Sequence, residues 1–463
     1  MHLKNIIKNS LPIALIAIGL LFTQCVKDER NLGEQTIPDD YKLKIGSTKI
    51  YLPLQTKVFQ DFQGISSTTG YVGAIRSEQN GLATFSFGVN YCPNSLKFNF
   101  GQSPIVKKCF ITFVKGNTSV ADKSQENILQ NFHIYRMKRQ IDTFHIYNSG
   151  LTDEDYYPTS IEDGGLFYTG GDTLRVFLKD SFAENLLNAS QWALDSTNHF
   201  LQEFGGLLFT CDPPIGNGGR LNGFTVSNAN IQLQVNFQPT WKSGLERKDT
   251  TFLFVLGVND IQNFSSYESE GQQSEDFTEY VNVEGIAGIK PYVNPLNLKD
   301  SIDKFLTANS IDKNKFIVAR ARYYLPITNP TDPTDINNYY PGYLYPCYKY
   351  VRDDLYHKYL PLADVDEEEN NHGLLNRSLG YYYGDMSSWL QRFILKDKSE
   401  IEPNGEYALW FAPLSAITSS SYYSSSSITT YSANSDSYVL GKINGPRHAN
   451  PPYIEIIYTI LPD

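Results

Sequence analysis

The stretch IQLQVNF, residues 231–237, alternates apolar and polar side chains. Because successive side chains of a β-strand point to opposite faces, this period of two predicts a strand with one buried and one solvated face. Comparable short segments rich in β-branched and aromatic residues recur between Gly, Pro, Asn and Asp. They lie at residues 42–52, 83–89, 132–137, 173–178, 207–210, 251–258, 316–323, 407–411 and 453–458. This recurrence favours a β-sandwich or barrel class.

The composition agrees with a folded, mostly β protein. Of the 463 residues, 41% are hydrophobic and 19% are charged, which is far from the composition of disordered chains. The 32 Tyr and 27 Phe, against 3 Met, favour strands over helices. The net charge of -11 repels a phosphate backbone and argues against nucleic acid as a partner.

Helical patterns are few. Residues 179–189 have Asp180 or Ser181 as a plausible N-cap, and residues 191–204 and 298–308 are two further candidates. Helices this short and this scarce are expected to connect strands. They do not predict a helical domain.

A domain boundary is predicted at residues 238–249, where an apolar strand ends in Pro239 and a charged stretch follows. The chain is therefore expected to form two β-sandwich-like domains, jelly-roll or immunoglobulin-like, with a few short connecting helices. The N-terminal domain is predicted at residues 43–238 and the C-terminal β-rich domain at residues 250–463.

Residues 1–24 have the features of a lipoprotein signal peptide. Two lysines precede an apolar run at residues 11–22, which is too short to span a bilayer. Cys25 follows in a lipobox-like pattern, in which Gln24 stands where a small residue is usual. We predict lipidation of Cys25, a polar tether over residues 25–42 and an outer-membrane location. An ordinary secretion signal cleaved nearby is the alternative.

Several patches resemble, in their order along the chain, the Bacteroidota lipoproteins of domain-of-unknown-function family 4270. After Cys25 these patches are LG at residues 32–33, FGGL at residues 204–207, VEGIAGI at residues 283–289 and PYIEIIY at residues 452–458. The resemblance implies an outer-membrane, surface-exposed lipoprotein of mostly β structure. It brings no catalytic residues with it.

The glycines of these patches have a structural interpretation of their own. Gly205, after a candidate helix, suits a left-handed C-cap, and Gly285 and Gly288 suit a bulge or a close backbone contact.

Beyond the signal, the chain has four cysteines, for which three disulfide pairings are possible and none is favoured. They are Cys92, Cys109, Cys211 and Cys347. Cys109 lies in an apolar run, where a buried free thiol is an equally good prediction.

Metal chemistry has weak candidates. The tetrapeptide FHIY occurs twice and contains His133 and His145, but the expected register places these on opposite faces, so half-buried strand histidines are favoured. The weak calcium candidates Asp364, Asp366 and Glu367 lack EF-hand spacing and favour a solvated acidic loop. No metal and no cofactor is expected.

Aromatic clusters supply the binding hypothesis, since rings with a polar edge suit sugar faces and partner proteins. Core packing is the alternative for any single tyrosine. Because neighbours on a strand alternate faces, at least one of three consecutive tyrosines is expected to face outward. The candidate binding residues are Tyr381, Tyr382, Tyr383, Trp389, Tyr422 and Tyr423.

These observations predict a non-enzymatic, surface-exposed outer-membrane lipoprotein that acts as a binding or cell-surface structural component. Its expected partners are the membrane, through the lipid anchor, and other cell-surface proteins or glycans. One alternative is a glycan-binding accessory of a nutrient-uptake system. A second is a secreted-side hydrolase, although neither Gly-x-Ser-x-Gly nor His-Glu-x-x-His occurs in the chain.

Overall fold

The computed structural model describes most of the chain from residue 43 onward. The described ranges are 43–59, 69–78, 81–120, 122–141, 151–239, 246–268, 278–284, 288–328, 340–352, 356–361, 373–413, 415–420, 427–432 and 439–462.

Strands dominate these ranges, which confirms the mostly β prediction. The strands are β1 (Lys44–Tyr51), β2 (Leu54–Phe59), β3 (Thr69–Ser77), β4 (Gly81–Pro93), β5 (Gln102–Val120), β6 (Gln130–Met137), β7 (Tyr156–Ser160), β8 (Leu166–Tyr168), β9 (Thr173–Phe177), β10 (Gly206–Cys211), β11 (Gly218–Thr225), β12 (Asn230–Gln238), β13 (Lys248–Glu268), β14 (Tyr280–Glu284), β15 (Gly288–Val293), β16 (Phe316–Pro326), β17 (Leu344–Arg352), β18 (Tyr356–Pro361), β19 (Leu374–Asn376), β20 (Tyr381–Asp385), β21 (Leu409–Pro413), β22 (Ser415–Ser420), β23 (Ser427–Ser432), β24 (Leu440–Asn444) and β25 (Tyr453–Ile460).

The α-helices are short, as the sequence predicts. They are α1 (Asp180–Leu187), α2 (Gln191–Leu194), α3 (Thr197–Phe204), α4 (Pro295–Ala308) and α5 (Ser387–Leu395). Three single turns of 3-10 helix accompany them, at Lys123–Gln125, Lys313–Lys315 and Lys398–Glu400.

Local capping explains where the helices differ from the prediction. The predicted helix at residues 191–204 is two helices, and Ser190 caps α2 by accepting a hydrogen bond from the Ala193 amide. The N-cap of α1 is Lys179, so Asp180 lies in the first turn instead of capping it. In α4, Asn294 is the cap and Pro295 occupies the first turn, where its missing N–H costs nothing.

The first group of strands forms one eleven-stranded antiparallel sheet, called here the large sheet. Its order is β13-β12-β5-β11-β3-β4-β10-β6-β7, with β8 on β6 and β9 on β5. Because β13 also pairs with β4, six of these strands close a ring of hydrogen-bonded neighbours. A phenylalanine-rich cluster fills the interior, together with α1, α2 and α3.

The second group forms two five-stranded antiparallel sheets. Sheet A has the order β1-β25-β16-β20-β19, and sheet B has the order β18-β17-β21-β15-β2. Buried side chains from both sheets, from α4 and α5 and from β14 belong to one hydrophobic cluster. One face of sheet A therefore packs against this core, and the other face points away from it.

Strand pairing departs from the predicted domain ranges at two segments. β1 and β2, within the range predicted for the N-terminal domain, pair with β25 and β15 of the second group. β13, most of which lies within the range predicted for the C-terminal domain, pairs with β12 and β4 of the large sheet. The first and last strands within the described ranges, β1 and β25, are neighbours, and the large sheet is formed by strands β3 to β13.

Gly205 is the C-cap of α3, as predicted, and it has the positive φ that favours glycine. It ends α3 at a φ of 68°, and its amide donates to the Leu201 carbonyl oxygen. A Cβ at this position would lie 2.4 Å from the Met137 carbonyl oxygen, so only glycine fits.

Cysteines 92, 109, 211 and 347 lie in described ranges and none of them forms a disulfide. Burial raises the pKa of the Cys109, Cys211 and Cys347 thiols to about 12. The expected buried free thiol at Cys109 is confirmed, and these thiols are poor nucleophiles at neutral pH.

Candidate functional site

Strand β20 divides the three consecutive tyrosines between two faces, as the sequence predicts. Tyr382 is fully buried in the core, and its hydroxyl donates to the Pro341 carbonyl oxygen at 2.7 Å. Tyr381 and Tyr383 are half-buried on the outer face of sheet A. Tyr382 therefore belongs to the core, and only its two neighbours present a ring surface to solvent.

Trp389 is a core residue, which corrects its prediction as a binding residue. It lies on α5 with 2% of its surface exposed, and its ring stacks on Phe393 at 4.9 Å between centroids. The buried residues of this helix are Trp389, Leu390, Phe393 and Ile394. This helical spacing was the available signal, and it points the indole inward.

Several other predicted residues lie outside the described ranges. They are Cys25, His145, Asp364, Asp366, Glu367, Tyr422 and Tyr423. Their assignments stay predictions.

The outer face of sheet A brings together five tyrosines, called here the tyrosine platform. They are Tyr51, Tyr324, Tyr381, Tyr383 and Tyr453. Four of them form one row across adjacent strands: Tyr51 is opposite Tyr453, Tyr453 is opposite Tyr324, and Tyr324 is opposite Tyr383. Tyr381 lies two residues from Tyr383 on the same face.

The platform rings contact one another. Tyr324 stacks on Tyr453 at 4.9 Å between centroids and packs edge-on against Tyr381 at 5.3 Å. The Tyr381 and Tyr383 rings are 5.7 Å apart. Partial burial within this group raises the pKa of Tyr324 and of Tyr381. At neutral pH the rings of Tyr324 and Tyr381 are therefore uncharged and keep their phenolic hydroxyls.

The end of the row is its most exposed part. Tyr51 is 60% exposed, whereas the other four tyrosines are half-buried by their neighbours. The Lys49 ammonium lies 4.4 Å from the centre of the Tyr453 ring, which gives a cation–π contact at the same end.

A row of charges flanks the tyrosines, two residues along each strand, and is called here the charged ladder. Lys49 is opposite Glu455, Glu455 is opposite Arg322, and Arg322 is opposite Asp385. The signs alternate across the four strands, and the four formal charges cancel. The Asp385 carboxylate also accepts hydrogen bonds from the Ser387 amide and hydroxyl at 2.9 and 2.6 Å.

The platform lies at one end of sheet A, and the N-terminal side of the chain enters at the other. Lys44 begins β1 opposite Ile460, and Tyr51 ends it opposite Tyr453. Seven residues of extended chain separate them by about 23 Å. The chain therefore enters β1 at Lys44, the end of this strand that is far from the tyrosines.

Sequence reasoning missed Tyr51, Tyr324 and Tyr453. Each occupies an alternate position beside buried residues, as in Tyr453, Ile454 and Glu455, so an outward direction was readable. Their meeting on one row depends on the pairing of strands far apart in the chain, which no local pattern contains.

A second polar cluster centres on His133 of β6. Its Nδ1 lies 3.1 Å from Glu162 Oε1 and its Nε2 lies 3.1 Å from Asp212 Oδ1. Glu162 is buried and also accepts a hydrogen bond from the Ile134 amide at 3.0 Å. His133 is the half-buried strand histidine that the sequence favours, and the cluster links β6 to the segments that carry the two acids.

Two buried charged residues lie in and directly after the VEGIAGI patch at residues 283–289. Lys290 and Glu284 are 0% and 1% exposed, and the Lys290 ammonium donates to the Glu284 carbonyl oxygen. Burial lowers the pKa of Lys290 to about 7, and nearby Glu284 partly opposes that shift. Glu284 Oε2 also accepts from the Ile289 amide at 3.3 Å, so the pair fixes the start of β15.

Across the described ranges, histidine, cysteine and acidic side chains form no group of three or more that is suited to hold a metal ion. None of the helices found there combines the length and the hydropathy that a membrane-crossing helix needs.

No protein-family model matches this chain, and no curated protein matches it. The resemblance to domain-of-unknown-function family 4270 therefore stays a prediction from the patches themselves.

Proposed function

We propose that this protein is a non-enzymatic, lipid-anchored binding protein of the outer-membrane surface, and that it contacts its ligand through the tyrosine platform. The observation that carries the proposal is the in-register row of four tyrosines on the outer face of sheet A. Aromatic rings that point outward from a rigid β-sheet provide contact area, and they lose little conformational entropy when a ligand binds.

The position of the platform supports a tethered binding role. The row lies at the end of β1 opposite to Lys44, and the predicted tether precedes Lys44. A chain anchored through Cys25 then holds the tyrosines on the side away from its attachment point. Membrane attachment and ligand contact would not compete for one surface.

We also propose that the chain forms two β-sandwich-like units. One unit is built around sheets A and B, and the other is built around the large sheet. The hydrophobic cluster shared by sheets A and B supports the first unit. The closed ring of six strands around a second cluster supports the other. Limited proteolysis that releases the chain between β2 and β14 as one stable fragment would support the division.

Replacement of Cys25 by Ser tests the anchor. Without the thiol no lipid can be attached, so we expect the variant to leave the outer-membrane fraction or to keep its signal peptide. Cell fractionation and intact-mass measurement distinguish these results. A mature variant that still fractionates with the outer membrane would contradict the anchor.

The binding surface is tested in the detergent-extracted, lipidated protein. The wild type, a Tyr324→Ala and Tyr383→Ala double variant and a Tyr157→Ala control are compared on immobilised polysaccharides and on immobilised outer-membrane proteins. Tyr157 is a suitable control because it is 47% exposed and lies under the Arg136 guanidinium, 5.5 Å from its ring centre, but belongs to the large sheet.

We expect the double variant to lose retention on the surface that holds the wild type, by about tenfold or more, since two ring contacts are removed. The Tyr157→Ala control should be retained like the wild type. Equal retention of all three proteins would remove the platform from the proposal.

A further inference from the structure

The geometry of the platform restricts what it can bind. Neighbouring strands are about 4.8 Å apart, so the row from Tyr51 to Tyr383 crosses three intervals and extends about 14 Å. A ligand that contacts all four rings must be elongated and must run across the strands. A single small molecule contacts only part of the row.

The ring surfaces restrict the chemistry. The face of an aromatic ring carries partial negative charge and attracts polarised C–H groups, and the apolar faces of pyranose rings present such groups. The Tyr324 and Tyr453 rings lie within 22° of parallel. Because these two rings stack on each other with centroids 4.9 Å apart, each covers part of the other's face. A chain of sugar rings laid along the row therefore meets the more exposed ring of Tyr51 and the outer edges and hydroxyls of the other tyrosines, each about one strand interval from the next.

The charged ladder supplies the polar part of the same surface. Sugar hydroxyls both donate and accept hydrogen bonds, and the ladder offers donors on Lys49 and Arg322 and acceptors on Glu455 and Asp385. Its formal charges cancel, and the whole chain carries -11. An anionic polymer meets two carboxylates beside the row and general repulsion from the protein.

We propose that the tyrosine platform binds a neutral polysaccharide laid across β1, β25, β16 and β20, with sugar rings on the tyrosines and hydroxyls on the charged ladder. This inference rests on the proposed function, because it names the ligand class of the same surface. The alternation of charges beside an aromatic row distinguishes it from a site for acidic glycans.

The test measures the affinity of the full, detergent-solubilised protein for soluble starch, mixed-linkage β-glucan, xylan and mannan, with polygalacturonate as the acidic probe. Titration calorimetry and retardation in polysaccharide-containing native gels give independent readouts. We expect at least one neutral polysaccharide to bind and polygalacturonate not to bind. Raising salt from about 50 to about 500 mM should change that affinity less than about twofold, since no net charge is matched.

Substitutions in the platform test whether the polysaccharide binds along the row of tyrosines. Tyr324→Ala removes the central ring and should weaken binding about tenfold, whereas Tyr324→Phe keeps the ring and should stay within about threefold. Tyr51→Ala should weaken binding about threefold. Because Tyr51 is 60% exposed, that variant should fold even where Tyr324→Ala does not. The Tyr157→Ala control should bind like the wild type.

The outcomes separate the inference from the proposed function. If no neutral polysaccharide binds, or if polygalacturonate binds more tightly, the ligand class is wrong. Loss of retention on outer-membrane proteins by the platform variants then still supports the proposed function and points to a protein ligand. If a polysaccharide binds equally to the wild type, Tyr51→Ala and Tyr324→Phe, and to folded Tyr324→Ala, both proposals fail at this surface.

Discussion

The phenylalanine cluster of the large sheet and the tyrosine platform of sheet A use similar ring pairs on opposite sides of their sheets. Phe87 and Phe209 stack at 4.5 Å in the core, and Tyr324 and Tyr453 stack at 4.9 Å on the outer face. Phe87 has no exposed surface, whereas the platform rings are partly in water. The two pairs therefore have similar ring geometry, and they differ in solvent access: only the tyrosine pair is accessible to a ligand.

The largest expected effect is on the core side of this comparison. Phe87→Ala removes a buried ring that contacts both Phe113 and Phe209, so it leaves a cavity and ends two ring contacts. We expect a loss of about 3–5 kcal/mol in the free energy of unfolding, measured by urea denaturation. A loss below about 1 kcal/mol would show that this cluster is loosely packed.

The sharpest comparison uses neighbouring residues on one strand. Tyr382→Ala removes a buried ring and its hydrogen bond to Pro341, and should cost about 3 kcal/mol or more. Tyr383→Ala changes an outer-face pair and should cost less than about 1 kcal/mol. Thermal unfolding of the two variants should give clearly separated midpoints, and equal midpoints would contradict the assignment of inner and outer faces.

The buried charge at Lys290 should give stability a distinctive pH dependence. Its pKa is about 7 in the folded protein and about 10.5 when unfolded, so the unfolded state binds more protons between these values. The destabilisation is complete below pH 7 and is relieved as pH rises towards 10. The slope is at most about 1.4 kcal/mol per pH unit.

Lys290→Met provides the comparison for this effect. The free energy of unfolding of the variant should lose that rise when both proteins are measured in urea from about pH 7 to about pH 9.5. Parallel curves for the two proteins would show that Lys290 keeps its charge in the folded state.

The smallest expected effect concerns Tyr422 and Tyr423, which the Ser-rich sequence around them predicts to be exposed. Their double replacement by Ala should change the free energy of unfolding by less than about 0.5 kcal/mol. A loss of several kcal/mol in the same urea titration would place these rings with the core group of this comparison.

The local sequence pattern correctly predicted those features that depend on the alternation of side chains along a strand. The strand at residues 231–237 and the outward direction of Tyr381 or Tyr383 follow from a period of two and are confirmed. Trp389 was misread because its helical spacing was not recognised within a β-rich region. The cluster of Glu162 and Asp212 on His133 was not predicted, because its members meet only through strand pairing.

Long-range pairing also explains the domain ranges. The apolar pattern of β1 predicts a strand but contains nothing that selects β25, more than 400 residues later, as its neighbour. β13 begins at Lys248, inside the predicted boundary, and pairs with β12 immediately before it. The strands on the two sides of the predicted boundary therefore pair with each other, and sheet membership required the structure.

The antiparallel ladder between β1 and β25 has a mechanical consequence. Its eight residue pairs run from Lys44–Ile460 to Tyr51–Tyr453, and the hydrogen bonds lie perpendicular to the strands. A pull at Lys44 against a ligand held by Tyr324 and Tyr453 acts along the strand axis, so it loads these bonds in shear and all together. A pull perpendicular to the strands would instead peel β1 away and break these hydrogen bonds one by one. β1 thus resists being drawn out of the sheet, and under the proposed function it would transmit tension from Lys44 directly to the tyrosine platform.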